Sequence, residues 1–151
     1  MKRYKSIFVD IDRTNIKIGG YMSYYFSTKI KGNFDDIVQK TAEALKKEGF
    51  GVLTDIDVSA ILKKKLNEDF RKYRILGACN PPFAFKALQT EDKIGTMLPC
   101  NVIVQEIANE EIEVAAIDPV ASMRAIENSD LKGIADQIQE KLMKVINKLK
   151  P

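Results

Sequence analysis

The sequence predicts an α+β domain in which a mixed, largely antiparallel sheet packs against helices as a single compact unit. Three observations carry that expectation. Strand-like and helix-like stretches, about five of each, are interspersed along the chain. Two of the strands follow each other late in the chain, close enough to form a hairpin, which points away from a purely parallel sheet. The chain has 151 residues, 45% apolar and 30% charged, so it can build one core and is too apolar to stay disordered.

The elements follow in order. Tyr24-Tyr25-Phe26-Ser27-Thr28 is aromatic and hydroxyl-rich and reads as a strand. Lys31-Gly32 turns it, Asn33 is placed to cap the next helix, and Asp36 stands at the capping-box position. Phe34, Val38, Thr41 and Leu45 then share a helical face, and Gly49 suits a left-handed cap. Phe50, Val52, Thr54 and Ile56 alternate as a second strand. Asp57 can cap a helix carrying Val58, Ile61, Leu62 and Leu66 on one side.

Tyr73 to Cys79 is the third strand. Asn80 reads as a cap, and Pro81 fits the first helical position, where a missing N–H costs nothing. That helix runs towards Gln89. Cys100 to Ile107 and Glu111 to Ile117 form the hairpin, joined by Ala108-Asn109-Glu110. Asp118-Pro119 repeats the cap-plus-proline signal before Val120, Met123 and Ile126. Leu131, Ile134, Ile138, Leu142, Val145 and Leu149 mark the clearest helix. Residues 1–21 are expected to be an N-terminal extension, an added strand or hairpin, ahead of a domain over 22–151.

Composition narrows the function. Histidine is absent, which removes Ser-His and Cys-His nucleophile pairs and any imidazole-bearing zinc site. A net charge of +3 demands no anionic partner. The basic stretch from Lys63 to Arg74 is broken by Glu68 and Asp69 and reads as a solvated helix face rather than a nucleic-acid footprint. No stretch approaches the ~18 apolar residues of a membrane span. The basic start Met1-Lys2-Arg3 precedes an apolar run broken by Asp10 and Asp12, unlike a signal peptide. A cytoplasmic protein without nucleic-acid or membrane partners is the expectation.

Candidate chemistry is sparse. Asp10, Asp12 and Thr14 end an apolar run in the pattern of a phosphatase nucleophile strand, but the lysine and paired acidic strand end that such chemistry needs do not follow. Asp55 and Asp57 could share a proton or a hard cation, although capping explains Asp57 more simply. Two cysteines remain, Cys79 and Cys100, each followed by an asparagine and each beside proline. As small hydrophobes they need no function. Alternatively, two thiols and two amides converge, with Cys79 just ahead of a helix N-terminus.

Topology decides between these. A full crossover after Asn80 sets the cysteines at opposite sheet edges, whereas a return through Thr90 to Met97 brings both to one end. A helix of about nine residues, roughly 13 Å, favours the return.

The phrases from Gly49 to Asp57, Tyr73 to Pro81 and Leu98 to Val102 together resemble the bacterial and archaeal family called domain of unknown function 302, over Met22 to about Leu149. The resemblance implies a compact α+β domain and a homodimer, and it implies no activity or cofactor. The family's motif positions fall on Asp57, Cys79, Asn80, Pro81, Pro99, Cys100 and Asn101. Members often carry histidine in the short helix where this chain has Phe85, so a metal site using that histidine is not expected here.

A ligand site is therefore expected at Cys79, Asn80, Cys100 and Asn101, with Asp57 added by the resemblance. Its ligand would be a small molecule, an anion or a soft metal such as Cu(I) held by Cys79 and Cys100. A dithiol redox or sulfur-transfer role and a purely structural dimerisation module are the alternatives.

Overall fold

The computed structural model describes residues 23–151. The expected extension over 1–21, with its Asp10 and Asp12, lies outside the described residues. Strand β1 spans Tyr25–Lys31, β2 Gly51–Asp57, β3 Tyr73–Cys79, β4 Cys100–Ala108 and β5 Glu111–Ile117. Helix α1 spans Phe34–Lys47, α2 Val58–Leu66, α3 Pro81–Thr90, α4 Pro119–Ser122 and α5 Asp130–Lys148. Short 3₁₀ helices occupy Asp92–Met97 and Met123–Ala125.

The strands form one sheet in the order β1-β5-β4-β3-β2, and every neighbouring pair is antiparallel. The expected parallel component is absent among the described strands. After α3 the 3₁₀ helix carries the chain back to the end of the sheet it left, so β4 returns beside β3 instead of crossing over.

Alternation builds the core. Leu76 and Ala78 of β3, Val102 and Val104 of β4, and Ile112 and Val114 of β5 are buried with Ile37 and Leu45 of α1 and Leu142 and Val145 of α5. The two long helices thus cover one face of the sheet. A smaller cluster of Ala87, Ile94 and Leu131 sits beside it, with Met123 and Ile126 packed against it.

Local signals place most boundaries. The Asn33 side chain accepts from the Asp35 and Asp36 N–H groups, and Asp118 accepts from those of Val120 and Ala121. Gly49 closes α1 with φ +87°, a conformation that costs glycine little.

Two expectations change. Helix α2 buries no residue, and Leu66 is 64% exposed, so its apolar spacing does not face the core. Asn80 precedes α3 but makes no side-chain cap bond; its amide reaches elsewhere. Among the described residues no helix is long and apolar enough to cross a membrane.

Candidate functional site

The register brings the cysteines to one end of the sheet. Cys100 lies opposite Ala78, and Cys79, one residue further along β3, lies opposite Gly51 of β2. The sulfurs therefore stand diagonally across neighbouring strands. Ala78 and Cys100 both belong to the core, so the Cys100 side chain faces the helices.

Cys100 is buried and Cys79 half-buried, both as free thiols. Burial pushes the Cys100 thiol up to about 11, and the proximity of Cys79 adds to the shift. At neutral pH the Cys100 sulfur is an uncharged S–H, a poor nucleophile and a poor metal ligand.

The start of α3 adds little positive potential. Pro81 and Pro82 carry no N–H, and the Ala84 N–H is taken by the Asn80 carbonyl. The first two helical positions of α3 thus offer an anion no amide.

Asn80 is buried and donates its side-chain amide to the Glu48 carbonyl at 3.4 Å. It also packs against Gly49, where a Cβ would lie 3.1 Å from the Asn80 amide nitrogen. The second residue of the Cys79-Asn80 step thus ties the β3–α3 corner to the end of α1. Glu48 in turn pairs with Lys148 at the end of α5, and this hydrogen bond holds its carboxyl below the ordinary value.

Two expected members stay apart from this group. Asn101 is exposed and lies opposite Gly77, on the face away from Cys100 and Val102. Asp57 caps α2 through the Ala60 N–H and bonds the Ser59 hydroxyl, and these two hydrogen bonds lower its pKa. It pairs with Arg74 at the far end of β2, six residues or about 20 Å from Gly51. Asp55 is likewise engaged by Arg74. Among the described residues no group of three or more Cys, Asp or Glu side chains is placed to hold a metal ion.

What Cys79, Asn80 and Cys100 do share is a cavity of about 30 Å³. Phe50, Phe83, Leu98, Met123 and Ile138 complete much of its wall. Sequence reading had left Phe50 in the second strand and Ile138 and Met123 on helical faces. Their proximity to the Cys-Asn steps is a tertiary property that spacing along the chain does not carry. The volume holds about one or two waters.

Residues 26–149 match the family model described as domain of unknown function DUF302. The chain belongs to the DUF302 family. A crystal structure of an uncharacterized conserved DUF302 protein from Bacillus stearothermophilus is similar to it, with 25% sequence identity and a TM-score of 0.79. The match covers 85% of this chain and 100% of that one. No curated protein matches the sequence. The DUF302 region thus includes both Cys-Asn steps, the whole described sheet from Phe26 of β1 onwards, and the wall of the cavity.

Proposed function

We propose that this DUF302 domain is a binding module that takes a small uncharged molecule at the end of the sheet marked by Cys79, Asn80 and Cys100. The observation that carries the reading is a cavity lined mainly by apolar side chains beside a thiol held protonated to about 11. An anion would meet a helix start stripped of two amides by Pro81 and Pro82. A soft cation would have to ionise Cys100 inside its apolar surroundings. An uncharged molecule meets neither cost.

The test is an NMR titration of protein labelled with ¹³C-cysteine. Methanol, small enough for a space of about 30 Å³, should move the Cys79 and Cys100 signals together and saturably, while inorganic phosphate and Cu(I) leave them in place. Movement with phosphate or Cu(I) but not with methanol would reverse the reading.

A second reading rests on a different surface. Strand β2 is a sheet edge, and six of its seven residues are exposed. Val52, Leu53 and Ile56 of β2, Ile61 and Leu66 of α2, and Phe70 are large apolar side chains left open to solvent. An exposed edge strand offers unpaired N–H and C=O groups to another strand, and an antiparallel copy of itself satisfies them symmetrically. This supports homodimerisation through β2 and α2.

A further inference from the structure

The thiol cavity alone is too small for most ligands, which occupy pockets of about 300–1,000 Å³. A second space lies against it. Between the α4–α5 connection and the first turns of α5 is an open cleft of about 720 Å³. Met123 and Ala135 line both the cleft and the thiol cavity, so the two spaces adjoin there. Ala135 is a buried helix residue with nothing to move beyond its Cβ. Met123 starts a three-residue 3₁₀ turn and is only half-buried. Methionine has three side-chain torsions and a polarizable thioether, and it repacks at low cost.

We infer that the cleft and the thiol cavity form one binding site, with Met123 as the movable partition, for a neutral amphiphile with an unbranched alkyl chain. This rests on the uncharged-ligand reading above and names the ligand class. The chain threads past Met123 towards Cys100 and Phe83. The polar end stays in the cleft, whose buried and half-buried Ile126 and Leu131 form an apolar floor. Arg124 and Lys132 line the same cleft with Glu127 and Asp136. Two cations against two carboxylates give no net preference for a charged head, whereas a hydroxyl or amide can bond to either kind.

A series of n-alkanols from butanol to decanol, titrated into protein labelled with ¹³C-methyl methionine and ¹³C-cysteine, tests this. Affinity should rise about fourfold per added methylene until the chain reaches the cysteines. With the longer alcohols the Met123 methyl and the Cys100 signal should move together. Two variants narrow the passage. Met123→Phe, or Met123→Ile if the ring is not tolerated, should flatten the rise of affinity with chain length, and an unchanged slope in both variants would overturn the passage.

Decanol that shifts Met123 but never Cys100 would overturn the passage, as would an unmoved Met123 methyl at saturation. Either result can accompany a positive methanol titration of the cysteines, which leaves the thiol cavity as a binding site and removes only its connection to the cleft.

Discussion

The Asn80 side-chain amide donates to the carbonyl of Glu48, 32 residues earlier in the chain, at 3.4 Å. One bond joins the corner where β3 enters α3 to the corner where α1 enters β2, and both corners border the cavity through Asn80 and Phe50. Asn80→Ala should cost about 1 kcal/mol of stability, the typical net loss for one such bond. Chemical denaturation reads this directly. An unchanged midpoint would mean that the bond orients nothing.

Gly77 should tolerate no side chain. A Cβ there would collide with the Thr54 hydroxyl and lie 2.8 Å from Pro99 Cγ. Gly77→Ala should destabilise the fold by about 1–3 kcal/mol. Adding Thr54→Ala should recover part of the loss, because the Pro99 contact remains. Full recovery, or no loss at all, would contradict the packing described.

The Glu48–Lys148 pair gives a pH signature. Lys148 lowers the Glu48 pKa from its ordinary 4.5, so folding favours the ionised carboxylate. The pair's contribution is complete above that value and lost as pH falls through the lower, folded-state pKa. Lys148 is 47% exposed, so solvent screening keeps the contribution small, about 0.2–1 kcal/mol. Lys148→Met should be less stable than the parent at neutral pH, and the two melting temperatures should converge as pH falls through and below the ordinary 4.5. A constant gap across that range would show that Glu48 gains nothing from the pair.

The exposed β2–α2 surface predicts self-association. Replacing Leu53 and Leu66, 66% and 64% exposed, by lysine should shift the sedimentation profile from dimer to monomer without changing the circular dichroism. Monomeric parent protein at the same concentration would remove this surface from consideration as a homodimer interface.

Local chemistry was the legible part of the fold. β3 runs from Tyr73 to Cys79 and β5 from Glu111 to Ile117, as read from alternation and turn residues. Asn33, Asp57 and Asp118 cap the helices they precede, because a cap is decided within three residues. The short α3 and its return also followed from chain length. What escaped was whatever depends on distant neighbours. Val58, Ile61, Leu62 and Leu66 have core-like spacing, but none of them is buried. Asn80 is spelled like a cap and spends its amide on α1. The diagonal placement of the cysteines is set by the β2–β3 and β3–β4 registers. Met123 read as one position on a helical face, yet the helix ends at Ser122 and Met123 lines two cavities.

The most direct measurement is the ionisation of Cys100 itself, followed by its ¹³Cβ shift in native protein as pH is raised. An uncharged, apolar site requires the thiol to stay protonated through neutrality and ionise near 11. A midpoint at or below the ordinary 9.0 would mean a stabilised thiolate, and with it a site built for charge.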